Sequence, residues 1–316
     1  MEKVRPFVKW AGGKNKLILQ IEQYYPKELK ENKIDVYIEP FVGGGAILID
    51  ILKKYNIKKA YAFDINKNLI NCYNIIKDKV ESLVLELKEL EEEYLKLDDE
   101  NRKEYYYDIR KKYNSINIEN ENEALEKTTY FIFLNKTCFN GLYRENRRGQ
   151  FNVPIGKYKN PTIFDEENLI ELSKLIKNVT FINGDYRESY KYIEENTFIY
   201  FDPPYRPLSN TSGFTSYTKE DFNDENQKEL AKYYKLLDEK DAKLMLSNSN
   251  PKNTNKDDNF FEEIYKGFYI NEISAKRMIN ANTKGRGEIS ELLITNYREM
   301  EECIQENSIL MNVVSV

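Results

Sequence analysis

Between residues 36 and 78 the chain alternates two kinds of apolar run, and no other feature constrains its fold as strongly. VYIEPF (36–41) reads as a short buried strand, and the following GGGAILIDILKKY as a helix that opens on glycines. KKAYAFD (58–64) is a second strand ending in Asp64, and NKNLINCYNIIK a second helix. Strand, helix, strand, helix in that order needs crossover connections, which predicts a parallel α/β sheet wound in the Rossmann manner. The 316 residues suffice for a sizeable core.

Residues 79–135 are helical in pattern, densely charged and free of Pro and Gly. Two or three helices are expected there, the first of them acidic. CFNGLYRENRRGQFNVPIGKYKNPT (138–162) is rich in Gly, Asn, Pro and Arg, so it predicts an irregular loop or hairpin. Strand-like runs return at 179–183, 197–201, 242–247, 268–273 and 289–296, with helical stretches at 186–195 and 220–239. The simplest architecture is one α/β sheet domain formed by 1–75 and 166–297. A helical insertion (76–165) interrupts it, and 298–316 form a C-terminal tail.

Composition removes several chemistries. The chain has no histidine, the commonest general base and metal ligand, and its three cysteines (Cys72, Cys138, Cys303) are far apart with no CxxC spacing. Neither a disulfide framework nor a metal site is expected. No apolar run of membrane-spanning length occurs and the start, MEKVRPFVKW, lacks the pattern of a signal peptide, so a cytoplasmic protein is expected. The formal charge of -5 argues against nucleic acid until its distribution is read. Residues 85–100 carry eight acids against two lysines, whereas 136–160 carry six basic residues against Glu145 alone. A third stretch, 274–287, holds Lys276, Arg277, Lys284 and Arg286 with no acid.

Two stretches carry the chemistry. Gly43-Gly44-Gly45 lies between a strand and a helix, where glycines allow a tight turn and let a ligand reach backbone N–H groups. Asp64 ends the next strand about 20 residues later, a place where an acid binds ribose hydroxyls. A structural turn and a helix cap are the plainer alternatives for each, and together they favour a nucleoside-cofactor site. FDPPY (201–205) is sharper. Two prolines after a buried strand stop the ladder and fix the Asp202 carboxylate and the Pro203 carbonyl at the carboxyl edge of the sheet. Tyr205 then offers a flat face, worth roughly 1–3 kcal/mol against a nucleobase. An ordinary Pro-rich turn is the alternative. Two acceptors and a stacking ring suit the amino group of a flat heterocycle. Hydrogen bonds from adenine N6 to these acceptors favour a more nucleophilic nitrogen without a strong base.

PFVKWAGGK (6–14), EPFVGGGA (39–46), FNGLYR (139–144), GQFNVPIGKYKNP (149–161), GDY (184–186), FDPPY and FTSYT (214–218) occur in one order over most of residues 6–297. In these stretches the chain resembles the Dam-type (D12 class, alpha group) DNA adenine-N6 methyltransferases, which use S-adenosylmethionine. The resemblance implies a Rossmann-like methyltransferase sheet with a helical DNA-recognition insertion. Asp202, Pro203, Pro204 and Tyr205 would be catalytic. Trp10, Ala11, Gly12, Lys14, Phe41, Gly43, Gly45, Asp64, Asp185, Tyr186 and Asp202 would line the cofactor. Trp10, the only tryptophan, reads as a core anchor without the surrounding KWAGGK.

Double-stranded DNA is the implied partner. A duplex hides adenine N6, so the target nucleotide would be flipped out. Asn140, Leu142, Arg144 and Tyr158 would read bases or fill the gap, Lys9 would lie on the DNA side, and Arg147, Arg148, Lys157 and Lys159 would contact phosphates, a solvated loop being the alternative. Relatives with FNGLYR and QFNVP commonly modify GATC, which is the expectation here. A cognate restriction endonuclease of the same system is a functional partner the resemblance allows, and Lys276, Arg277 and KGRG (284–287) are expected to form a basic loop that orders on DNA. Two rivals remain: a methyltransferase for a protein glutamine amide, and a DNA-binding regulator without catalysis. Glu145 has no assigned role.

Overall fold

A computed structural model describes residues 3–207, 222–275 and 289–298. Seven strands form one sheet: β1 (Val36–Glu39), β2 (Lys59–Asp64), β3 (Val179–Asn183), β4 (Thr197–Phe201), β5 (Lys243–Ser249), β6 (Tyr269–Ala275) and β7 (Ile289–Thr295). Their order is β3-β2-β1-β4-β5-β7-β6. The first five are parallel, as expected. β7 departs from the expected parallel winding: it enters antiparallel between β5 and β6. ISELLIT has the same apolar character as the parallel strands, so composition could not report its direction.

Period-two alternation divides the sheet's side chains between two apolar clusters. Tyr37, Phe198, Tyr200, Met245 and Leu293 enter one, whereas Val36, Ile38, Ile199, Phe201, Leu244, Leu246, Leu292 and Ile294 enter the other. Strands covered on both faces need near-continuous apolar runs, and TFIYF, buried at all five positions, is such a run.

The helices are α1 (Ile18–Ile21), α2 (Lys27–Lys30), α3 (Ala46–Lys54), α4 (Lys67–Asp78), α5 (Val80–Lys96), α6 (Asp99–Ser115), α7 (Glu121–Thr137), α8 (Glu166–Leu175), α9 (Asp224–Asp238) and α10 (Phe260–Ile264). Side-chain caps set several starts. Asn66 accepts from the Asn68 and Leu69 N–H groups, Asp98 from Asn101, Asn120 from Asn122 and Glu123, and Asp165 from Asn168. The expected helix at 186–195 is a shorter 3₁₀ run, Tyr186–Tyr192, and α8 lies where no helix was expected.

The helical insertion has no core of its own. Leu83, Leu87, Tyr106, Ile109, Phe131 and Phe133 belong to the cluster that also contains Tyr37, Phe198 and Tyr200 of the sheet. α8 ties the two parts further through the Lys88–Glu166 ion pair at 2.7 Å. The N-terminal segment reaches the sheet without pairing as a strand. Asn168 accepts from the Arg5 N–H and donates to the Arg5 carbonyl, and Asn135 does the same for Lys9. Each amide thus satisfies a backbone donor and acceptor as a neighbouring strand would. Residues 299–316, the expected basic loop at 276–287, FTSYT and Cys303 lie outside the described residues.

Candidate active site and nucleic-acid interface

β1, β2 and β4 are adjacent and parallel, so their carboxyl ends lie along one edge of the sheet, the usual place for ligands in an α/β sheet. β4 brings Asp202 there. Its carboxylate lies 2.6 Å from the Lys14 ammonium through Oδ1 and 2.7 Å through Oδ2, and the Ser247 hydroxyl donates to Oδ1 at 2.8 Å. Lys14 is 3% exposed and also donates to the Gly12 carbonyl at 2.7 Å. Its ammonium stands 4.6 Å from the centre of the Tyr205 ring. Among the described residues the Pro203 carbonyl accepts no hydrogen bond.

The FDPPY backbone is held from behind. Gln227 of α9 donates to the Pro204 carbonyl at 3.0 Å, and Asn248 of β5 donates to Gln227 at 3.1 Å. Asn248 in turn accepts the Arg206 N–H at 3.2 Å, and Ser249 donates to the Arg206 carbonyl at 2.8 Å. The Arg206 guanidinium grips both oxygens of Asp224 at 2.7 and 3.0 Å and Asp258 at 2.7 Å, 4.2 Å from the centre of the Phe260 ring. A planar fork between two carboxylates and over an aromatic face is a rigid attachment. Neither Arg206 nor this scaffold was singled out in the sequence. The polar run Ser247-Asn248-Ser249-Asn250 at the end of an apolar strand is the signal that could have found it.

The glycine turn lies at the ends of β1 and β2. Gly43 has φ +47 and Gly45 φ +71, backbone that disfavours a side chain. A Cβ on Gly43 would lie 2.9 Å from Trp10 Cδ1, and one on Gly45 2.6 Å from the Tyr73 hydroxyl. Tyr73 donates to the Gly43 carbonyl at 2.9 Å and stacks on Phe181 at 4.5 Å. Asp64 accepts the Gly43 N–H at 3.1 Å on one oxygen and the Asn66 N–H at 2.8 Å on the other. Burial raises the Asp64 carboxyl to about 6 against those two bonds. Each oxygen retains acceptor capacity beside a turn that admits only backbone, which fits vicinal ribose hydroxyls and the chain of a nucleoside cofactor. Behind this turn, Glu39 accepts the Tyr37 hydroxyl at 2.7 Å, and burial pushes its carboxyl up to about 8.

Trp10 packs between the glycine turn and the helical part of the core. It is half-buried, lies against the glycine turn, and stacks on Tyr143 at 5.5 Å and Phe131 at 6.4 Å. Ala11 and Gly12 are exposed beside it. Phe41 stacks on Tyr186 at 5.4 Å, and Tyr186 is buried, so its ring belongs to the core behind Phe41. Asp185 first serves its own turn: it caps the 3₁₀ run and pairs with Arg187 at 2.7 Å, which holds its carboxyl below the usual carboxylate range against the opposing effect of burial.

Residues 138–159 form the irregular hairpin. Isolated bridges join Cys138 to Ile155 and Glu145 to Phe151, and Asn146 and Gln150 close its tip. α6 stitches its backbone. Tyr106 and Arg110 donate to the Val153 carbonyl, and Asn114 bonds both the N–H and the carbonyl of Phe151. Arg147 and Arg148 stand exposed at the tip, Asn140 is exposed in left-handed backbone at φ 55, and Leu142 is half-buried against the core. Arg144 donates to Asn152 at 2.8 Å. Lys9 lies 4.7 Å from the Tyr158 ring centre. Burial, with Lys9 and Arg5 near, pushes Lys136 down to about 8. Glu145 acquires a role here: it accepts the Tyr143 hydroxyl, and so anchors the hairpin to the ring beneath Trp10.

Among the described residues no cluster of ligands suits a metal ion, and no helix is long and apolar enough to cross a membrane. The profile of a family described as D12 class N6 adenine-specific DNA methyltransferase matches residues 10–279. Type II methyltransferase M.MjaIII of Methanocaldococcus jannaschii is 53% identical over 295 residues, covering 93% of this chain and 99% of that protein. A DNA adenine methylase of Vibrio cholerae is 35% identical, covering 93% and 96%. One of Escherichia coli is 32% identical, covering 93% and 95%.

Proposed function

The chain belongs to the D12 class N6 adenine-specific DNA methyltransferases, and from that membership we infer that it methylates adenine N6 within GATC of duplex DNA after flipping the target nucleotide. It is an enzyme that uses S-adenosylmethionine. The observation that supports the finer reading is the arrangement at the sheet edge: Asp202, Pro203 and Tyr205 follow the end of β4, and Gly43, Gly45 and Asp64 lie at the ends of the neighbouring β1 and β2.

S-adenosylmethionine supplies an electrophilic methyl group when bound. The chain's own residues bind, orient and polarise. Asp64 would hold the ribose hydroxyls, the backbone of the glycine turn would bind the methionine portion, and Trp10 would pack near the cofactor. Asp202 and the Pro203 carbonyl accept the two N6 hydrogens, which draws the nitrogen lone pair out of the ring. Tyr205 stacks on the base. Lys14 holds the Asp202 carboxylate over the same ring, and Oδ2, which has Lys14 as its one partner among the described residues, retains capacity to accept from the incoming amino group. Catalysis on this reading is positioning and local electrostatics.

The exposed Arg147 and Arg148 support phosphate contacts, while Asn140, Leu142, Arg144 and Tyr158 are proposed as base-reading or gap-filling positions and Lys9 as a further residue on the DNA side. A cytoplasmic location, where duplex DNA would be met, and a functional link to a cognate restriction endonuclease belong to the same proposal. The test is expression in a host without adenine methylation, followed by single-base mapping of N6-methyladenine. Marks confined to GATC are expected. Marks at another motif would overturn the reading of 138–159 and keep the pocket, and absence of marks from folded protein would overturn both.

A further inference from the structure

Strand β7 meets the FDPPY segment through Glu291. Glu291 lies opposite Ser249 on β5 and Ile273 on β6, is half-buried, and accepts the Tyr205 hydroxyl at 2.5 Å. Tyr205 is pinned along its backbone by the preceding prolines and by the Gln227, Asn248 and Arg206 scaffold. None of those bonds fixes rotation of its side chain. Lys14 lies over the ring face at 4.6 Å, but a cation over a π face tolerates sliding and tilting. The hydroxyl, at the far end of the lever, is where a single bond sets the plane of the ring.

We propose that Glu291 is a positioning residue for methyl transfer, which holds the Tyr205 hydroxyl and thereby fixes the plane against which the target base stacks. The inference rests on the reading of the pocket as an adenine site. The partner groups suit the role. Burial raises the Glu291 carboxyl and the nearby Lys14 charge opposes that rise. Tyr205 is held well above the usual phenol range, so it remains the donor at any working pH. Glu291 is anchored in a paired strand between β5 and β6, so the acceptor itself does not move with the loop.

A double-mutant cycle tests this with Glu291→Leu, Tyr205→Phe and the pair, each assayed for turnover at saturating cofactor and DNA. Tyr205→Phe keeps the ring and loses only the hydroxyl. Each single variant is expected to lose about tenfold in kcat, and the pair no more than either single, because both remove one bond. Cofactor affinity by calorimetry is expected to stay within about twofold of the parent. Glu291→Gln, which keeps an acceptor oxygen, is expected to restore most of the loss. Additive losses, a fully active Tyr205→Phe variant, or a Glu291→Gln variant as slow as Glu291→Leu would each overturn the proposal. Should Glu291→Leu not fold, Tyr205→Phe and Glu291→Gln decide between the same two outcomes. A parental protein inactive on every adenine-containing duplex would instead bring down the underlying reading of the pocket.

Discussion

The sheet edge and the 138–159 hairpin are prepared for their tasks in opposite ways. At the edge the functional side chains themselves are bonded: Asp202 to Lys14 and Ser247, Asp64 to two N–H groups, Tyr205 to Glu291. On the hairpin it is the backbone that is bonded, by Asn114, Tyr106, Arg110 and Asn146, while Arg147, Arg148 and Asn140 face solvent. Chemistry gains from groups whose orientation is settled before the substrate arrives. Reading a duplex needs a shaped frame, with side chains whose last contacts the partner supplies.

The contrast breaks most visibly at Asp202. Asp202→Ala removes an acceptor that no neighbour replaces, and a loss of at least about 100-fold in methylation is expected with DNA binding within a few-fold of parent, measured by single-turnover kinetics and fluorescence anisotropy. The hairpin frame is probed by Asn114→Ala. It leaves both Phe151 backbone groups without their partner, and a destabilisation of roughly 1–2 kcal/mol is expected in urea unfolding.

The Arg147→Ala, Arg148→Ala double variant probes the free side chains. If both meet phosphates, the slope of log affinity against log salt falls by about 1.8, with sequence preference intact. An unchanged slope would put the tip outside the interface.

The smallest effect concerns pH. Asp64 titrates at about 6, and accepting two hydroxyl donors favours its ionised form. Cofactor affinity should therefore weaken as pH falls below 6, by at most about tenfold per unit, and level off above it. In Asp64→Asn that dependence should vanish, as titration calorimetry across pH 5–8 would reveal. The same raised value works the other way on the cofactor-free fold. Its contribution to stability is complete below the ordinary carboxylate range and is lost as pH rises through 6.

The sequence was informative where function depends on local order. FDPPY, the glycine turn and Asp64 lie on strand ends that alternation and turn residues reveal directly, and the five parallel strands followed from the same patterns. It was silent where a partner comes from far along the chain. Glu291 meets Tyr205 across 86 residues and Asn168 meets Arg5 across 163. Tyr73 looked like one more apolar helical residue, although its hydroxyl holds the glycine turn. Glu145 looked like an exception to a basic segment because its partner, Tyr143, is buried under Trp10 and no charge count registers it.

Asn135 carries a practical consequence for anyone who would change what this enzyme reads. From α7 it grips Lys9 by both backbone groups and also donates to the Gly141 carbonyl at 3.1 Å. One amide therefore registers the KWAGGK loop to the start of the recognition segment. If 138–159 reads the duplex as proposed, grafting that segment alone from a relative is expected to disturb this register. A graft that shifts Gly141 pulls on Lys9, and with it on Trp10 and Lys14, so new reading residues must arrive with a compatible position 135 or be tuned in place.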